Sequence, residues 1–169
     1  MKRIKQLSKI MLLAFSITLA SCSSDSDGGS VNAGEGTITA KVDGNTVTSV
    51  TQGTFAYITS VGLQITGTSM ETKNLAINII AFDGVGKYDM GGNNTRAIGT
   101  YTEVDLNNPQ NLDNVWMAPY TENMSDGYVD ITEFTSTHVK GTFSFKGKNQ
   151  AGTIKTVTNG SFNIKTTQM

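Results

Sequence analysis

Residues 36–45, GTITAKVDGN, contain the pattern from which the fold is predicted. Ile38, Ala40 and Val42 alternate with polar residues, so a strand here would place these three apolar side chains on one face. The last three letters, DGN, are typical of a tight turn, because aspartate, glycine and asparagine tolerate positive φ. A second strand is therefore predicted directly after this turn, over residues 46–51.

The same pattern continues to the end of the chain. Threonine, valine, isoleucine and aromatic residues dominate, glycine and asparagine interrupt them, and no stretch shows a convincing helical apolar period. Further strands are predicted over residues 54–59, 62–68, 74–82, 98–104, 114–118, 127–134, 139–146 and 153–165. About ten short strands predict an all-β fold, an antiparallel β-sandwich, with a closed or partly open β-barrel as the alternative.

Two stretches add detail to this prediction. Residues 75–82, LAINIIAF, are apolar at both alternating sets of positions, which predicts a central strand covered on both sides. Asn159-Gly160 interrupts the last predicted strand. Both residues tolerate positive φ, so this dipeptide indicates either a type I′ hairpin or a β-bulge.

The first 21 residues are predicted to be a signal peptide. Residues 1–9 carry four bases and no acid, and residues 10–20, IMLLAFSITLA, carry no charge. This apolar run is about half the length that a membrane-spanning helix needs, roughly 20 residues. A short apolar run behind a basic head is typical of a secretory signal that is removed from the mature chain.

Cys22 is the single cysteine of the chain and directly follows Leu19-Ala20-Ser21. This tetrapeptide resembles the lipobox of bacterial lipoproteins. The resemblance implies that the Cys22 thiol receives a diacylglyceryl group and that a peptidase cuts just before it. A free thiol and an intermolecular disulfide are the alternatives. The serine and aspartate residues that follow resemble a surface-export signal, so we expect a lipid anchor in the outer membrane and display at the cell surface.

The mature chain then divides into two parts. Residues 22–35 comprise the lipidated cysteine and a small, polar, glycine-rich segment that is predicted to be a disordered tether. Residues 36–169 are predicted to form a single all-β domain. Removing the signal peptide takes away four of the thirteen bases and none of the fourteen acids, which leaves a net charge of −5. This charge argues against a nucleic-acid partner.

Several short stretches, taken in order, resemble a family of small Bacteroidota lipoproteins that contain a domain of unknown function. They are SCSSDSDGG after the apolar run, GTITAKVDG (36–44), GKYDMGG (86–92), YVDITEF (128–134), VKGTFSFKG (139–147) and VTNGSF (157–162). The resemblance covers nearly the whole chain. It implies an all-β lipoprotein, and it carries no catalytic or binding residue over to this sequence.

No arrangement of residues strongly predicts catalysis. His138 is the single histidine, and we expect it to lie exposed in a turn, although a triad with Ser136 and Asp130 can be written. Asp126, Asp130 and Glu133 could suggest the paired acids of a glycosidase, but a solvated strand face is the simpler interpretation. The chain is therefore predicted not to be an enzyme, with a weak hydrolase as an alternative.

One loop contains oxygen ligands that could suit calcium. Asp105, Asn107, Asn111 and Asp113 lie within ten residues, but Pro109 and the absence of glycine break the EF-hand pattern. A polar loop of Asx turns is the favoured interpretation. No cofactor is predicted other than the covalent lipid on Cys22.

Two aromatic residues are candidates for ligand contact. Trp116 lies in an apolar strand, where a core role is favoured, and Tyr120 follows Pro119 nearby. Exposed aromatic rings stack on sugars and anchor protein interfaces. The leading hypothesis is a non-catalytic binding or interaction module for a glycan or protein, and a lipocalin-like carrier of a small apolar ligand is the alternative.

The charges are unevenly distributed along the domain. Residues 83–133 contain nine acids and two bases, whereas residues 140–165 contain five lysines and no acid. In a sandwich, two such segments can lie side by side and offset each other, which is the favoured interpretation. The alternative is an acidic face that guides a partner.

Overall fold

Eleven strands make up most of residues 32–168, the part of the chain that the computed structural model describes. The strands are β1 (Thr37–Val42), β2 (Asn45–Thr48), β3 (Thr54–Thr59), β4 (Gly62–Thr68), β5 (Lys73–Ile80), β6 (Gly86–Gly91), β7 (Ala97–Glu103), β8 (Val115–Ala118), β9 (Ser125–Phe134), β10 (His138–Lys148) and β11 (Ile154–Gln168). Short 3₁₀ turns lie at Thr51–Gly53, Gly92–Asn94 and Leu112–Asn114. None of the described residues is α-helical, which confirms the all-β prediction. No helix in this range is long and apolar enough to cross a bilayer.

The strands pack as a sandwich of two layers. One layer has the order β2-β1-β11-β10-β9-β6, and the other has the order β3-β4-β5-β7-β8. The layers are joined at both margins, because the end of β11 pairs in parallel with β3 and Lys148 of β10 pairs with Met117 of β8. The remaining strand pairs are antiparallel.

Side chains from the two layers fill the space between them. Phe143, Phe145 and Phe162 come from one layer, and Leu75 and Ile77 come from the other; each is at most 2% exposed. Glycines allow the layers to approach closely. A Cβ atom at Gly99 of β7, for example, would lie 2.7 Å from Phe145 Cδ1 and 2.9 Å from Met90 Sδ.

Strand β5 is central in its layer, but the prediction that it is covered on both sides is wrong. Leu75, Ile77 and Ile79 point into the core, whereas Ile80 is 52% exposed. The side chains between them on the outer face are only partly buried. The reason is that a two-layered sandwich covers each strand on one face only.

The Asn159-Gly160 dipeptide forms a β-bulge, which decides between the two predicted alternatives. Asn159 has φ 51°, and the pairing of β11 changes register here against both β1 and β10. A bulge bends its strand and increases the local twist. The bulge therefore helps the long strand β11 to pair with β10 in one layer and to reach β3 of the other layer at its end.

Candidate functional site

An open groove crosses the outer surface of β9, β10 and β11, and we call it the outer groove. It consists of three clefts. The central cleft, of about 530 Å³, is lined by residues 120–121, 124–128 and 144–146 together with Thr156 and Thr158. A second cleft, of about 380 Å³, shares Tyr120 with it, and a third, of about 340 Å³, shares Tyr128, Ser144 and Thr158. The shared residues show that the three clefts adjoin one another.

The alternation of side chains along the strands determines which groups face the outer groove. Phe143 and Phe145 of β10 point into the core. Successive side chains of a strand alternate between its two faces, so Ser144 and Lys146, which each follow one of these phenylalanines, point outward. The register places Ser144 opposite Tyr128 of β9 and Lys146 opposite Thr156 of β11. The floor of the groove therefore presents hydroxyl groups, a phenol and an ammonium group.

Asp126 holds one wall of the outer groove in place. Its Oδ2 accepts hydrogen bonds from the backbone N–H groups of Tyr120 at 2.7 Å and Thr121 at 2.8 Å. Its Oδ1 accepts one from the Thr121 hydroxyl at 2.7 Å. Partial burial alone would raise the pKa of Asp126, but these hydrogen bonds and the nearby Lys146 charge lower this pKa below the ordinary value. The carboxylate thus fixes the backbone at Tyr120.

Tyr120 lies where the central and second clefts meet, and it is partly exposed. Apolar side chains surround this junction: Leu112 is 53% exposed, Met117 47% and Met124 64%. A phenol with apolar neighbours and nearby hydroxyl groups can stack on a ring and hydrogen-bond its substituents. Tyr120 is therefore in a position to contact a ligand.

Trp116 is in the core, which agrees with the favoured interpretation of this residue and corrects its proposed role in ligand contact. It is 6% exposed, its indole N–H donates to Thr153 Oγ1 at 3.0 Å, and its ring centroid lies 5.8 Å from that of Tyr101. Lys155 Nζ lies 4.6 Å from the Trp116 ring centroid and forms an ion pair with Glu103 at 2.7 Å. A ring covered in this way cannot stack on a ligand.

The polar loop proposed for calcium forms Asx turns. Asp105 Oδ1 accepts from the Asn107 backbone N–H at 2.9 Å, and Asn111 Oδ1 accepts from the Asp113 backbone N–H at 3.0 Å. Within residues 32–168, no cluster of three or more histidine, cysteine, aspartate or glutamate side chains is arranged to hold a metal ion. The geometry agrees with the Asx-turn interpretation, and calcium binding here stays a hypothesis.

Of the residues considered for hydrolysis, His138 and Glu133 have local partners. His138 is the first residue of β10, is partly buried and contacts Asn163 through Nε2, so the prediction that it lies exposed in a turn is wrong. Among the described residues, no hydrogen bond joins His138 to Ser136 or Asp130. Glu133 forms an ion pair with Lys140 at 2.9 Å.

Comparison with known proteins identifies the domain. Residues 34–164 match the family described as "Domain of unknown function (DUF6252)". No curated protein matches the chain, and no solved structure matches it. The predicted resemblance to a domain of unknown function is confirmed at this level. Cys22, the signal peptide (1–21) and most of the tether (22–35) lie outside the described residues, so the lipoprotein part of the resemblance stays a prediction.

Proposed function

The chain belongs to the DUF6252 family of unknown function, and we propose its role from the geometry of the outer groove. We infer that the domain is a non-catalytic binding module that holds a glycan chain in this groove, and that a lipid on Cys22 anchors it to the outer membrane. The observation that carries the proposal is a row of adjoining clefts, with the backbone at Tyr120 fixed by Asp126 where two of them meet.

The shape of the outer groove favours an extended ligand. Three adjoining clefts suit a chain of several units better than one small molecule. Phenol rings of Tyr120 and Tyr128 line it, and Ser144, Thr156 and Thr158 provide hydroxyl groups between strands. Sugar rings combine an apolar face with hydroxyl groups at the rim, so these side chains complement both features of a glycan.

An extended peptide fits this surface less well than a glycan. Peptides commonly bind by adding a strand to an open sheet edge, where unpaired backbone groups provide the hydrogen bonds. The outer groove instead lies over β9, β10 and β11, which pair with one another and are flanked by β6 and β1. Their backbone groups already serve the sheet, which leaves recognition to side chains.

The lipocalin-like carrier of an apolar ligand is the weaker alternative. A carrier needs an interior that its own side chains do not fill. In this domain, a Cβ atom at Gly99 of β7 would lie 2.7 Å from the Phe145 ring of β10, and a Cβ atom at Gly67 of β4 would meet the Ile38 side chain of β1. Such close packing between the layers favours a ligand on the outer surface.

The anchor is tested by changing the cysteine. Replacing Cys22 by alanine is expected to abolish incorporation of a palmitate analogue and to move the protein from the membrane fraction to the soluble fraction. Two acyl chains or more are needed for stable anchoring, and this residue is the proposed site of their attachment. Labelling with the palmitate analogue and membrane fractionation measure lipid incorporation and membrane association in cells that produce the wild-type protein, Cys22→Ala or Ser21→Ala. A Cys22→Ala protein that remained membrane-bound and labelled would contradict the proposal.

The groove is tested at Tyr120. We expect Tyr120→Ala to lower the affinity for a bound glycan about tenfold, since an aromatic contact in a binding site contributes on the order of 1–2 kcal/mol. The mature chain with Cys22→Ser is screened on a glycan array, and the best-bound glycan is titrated by calorimetry. Tyr57→Ala is the matched control, because Tyr57 is a partly exposed tyrosine on β3 in the other layer. Equal loss in both variants, or binding of no glycan, would contradict the proposal.

A further inference from the structure

The lysines that lack an ion pair cluster at the outer groove. Six of the lysine and arginine side chains within residues 32–168 lie within 4.0 Å of a carboxylate: those of Lys73, Lys87, Arg96, Lys140, Lys155 and Lys165. In the same range, Lys41, Lys146 and Lys148 have no such ion pair. A lysine without a partner near a groove is free to pair with a ligand.

The strand register brings these three lysines to the same surface. Lys146 and Lys148 alternate with core residues on β10, and they line the central and second clefts respectively. Lys41 of β1 is opposite Thr158 of β11, which lines both the central and third clefts. Neighbouring strands are about 4.8 Å apart and residues rise about 3.3 Å along a strand, so the backbone positions of the three lysines lie within roughly 17 Å of one another.

The acids at this surface offset part of the positive charge. Asp126 is the acid among the residues that line the three clefts, and both of its oxygens accept hydrogen bonds from Tyr120 and Thr121. Asp43, near the end of β1, accepts a hydrogen bond from the Thr156 backbone N–H at 2.9 Å. The residues that line the three clefts therefore include two lysines and one acid, a net charge of +1, on a chain whose own net charge is −1. Such a region attracts anions and selects among ligands by charge.

We propose that the ligand of the outer groove is an anionic polysaccharide, whose sugars carry carboxylate or sulfate groups. Lys146 and Lys148 pair with these acidic groups, Lys41 adds to the attraction, and Tyr120 stacks on a sugar ring. The inference rests on the proposed function and deepens it by naming the class of glycan. It follows from charge complementarity between the unpaired lysines and the ligand.

The test compares acidic and neutral polysaccharides on the mature chain with Cys22→Ser. Polygalacturonate and heparin are the acidic probes, and dextran is the neutral one. We expect calorimetry to detect binding of at least one acidic probe, weakened as salt rises from 0.05 to 0.5 M because salt screens exposed charges. The double variant Lys146→Gln/Lys148→Gln is expected to bind it about tenfold more weakly, because it removes two ammonium groups that line the clefts.

A second double variant controls for the change in total charge. Lys73→Gln/Lys165→Gln removes the same charge from positions that are paired with Glu71 and Glu35 outside the three clefts. We expect this control to change the affinity less than twofold. Equal losses in the two double variants would overturn the inference, because they would indicate attraction by net charge alone.

The remaining outcomes separate the inference from the proposed function. In one outcome, a neutral glycan binds in a way that depends on Tyr120, and the Lys146→Gln/Lys148→Gln change does not alter its affinity. This result would overturn the inference that the ligand is anionic but would leave the proposed glycan-binding function standing. Binding of neither acidic nor neutral polysaccharides, on the array or by calorimetry, would overturn both. Acidic binding that depends on both Tyr120 and the groove lysines supports both.

Discussion

Replacing Phe143 by alanine is expected to lower the free energy of unfolding by about 3–5 kcal/mol, which is a typical cost for deleting a buried phenylalanine ring. Phe143 is 1% exposed, and its ring centroid lies 6.3 Å from those of both Phe145 and Phe162. The total stability of a domain is about 5–15 kcal/mol. The substitution should therefore remove a large share of it.

Equilibrium unfolding in urea measures this loss on residues 22–169 with Cys22→Ser. Phe55→Ala is the matched control, because Phe55 is 45% exposed on β3 and stacks on Tyr57 with the ring centroids 5.9 Å apart. We expect the control to cost less than about 1 kcal/mol. A similar loss in the two variants would show that the layers do not enclose Phe143 as described.

Local rules were sufficient to predict many of the strands. The DGN letters predicted the first turn, where Asp43 has φ 48° and Gly44 has φ 85°. The strands predicted over residues 54–59 and 62–68 have the bounds of β3 and β4. These features depend on neighbours in sequence, and apolar alternation between turn residues reports on such neighbours directly.

Features that depend on the other layer could not be predicted in the same way. Strand β6 was not predicted, because GKYDMG contains glycines and charges, yet its Tyr88 and Met90 are buried. The Tyr88 hydroxyl donates a hydrogen bond to Asp83 Oδ1 at 2.6 Å, and Arg96 Cζ lies 4.9 Å from the centroid of the Tyr88 ring. These partners are close in sequence, but the strand itself forms by pairing with β9, where Tyr88 lies opposite Val129. No local pattern indicates that pairing.

The sequence indicated one residue of the candidate site and missed the arrangement around it. Tyr120 was a candidate because it follows a proline near an apolar strand. Lys146 and Tyr128 lie on different strands, and only the pairing of β9 with β10 brings them to one surface. The expected offset of acidic and basic segments is seen at Lys140–Glu133 and Lys155–Glu103. Neither Lys146 nor Lys148 forms such an ion pair, although the Lys146 charge still acts on Asp126. No sequence rule separates these lysines from the paired ones.

Replacing Asp126 by asparagine is expected to lower the stability by about 1.5–3 kcal/mol at pH 7, the range for hydrogen bonds to a charged group. It is also expected to weaken glycan binding, because the backbone at Tyr120 loses its fixed position. Hydrogen bonds from Thr121 and Tyr120 and the Lys146 charge hold the pKa of Asp126 below its ordinary value, although burial opposes them. A lowered folded-state pKa means that this stabilisation is present above the unfolded pKa and is lost as the pH falls through the folded one.

The difference in stability between wild type and Asp126→Asn should therefore be largest near neutral pH and shrink below about pH 4, the ordinary range for aspartate. Urea unfolding of both proteins at pH 7 and pH 3 measures this difference. Other carboxylates, such as Glu103, also have a lowered pKa, but they are present in both proteins and cancel in the comparison. Asp130→Asn, on the same strand β9, is the control and should stay within about 0.5 kcal/mol of wild type at pH 7. An Asp126→Asn deficit of the same size at both pH values would show that the ionised carboxylate does not hold the wall of the groove.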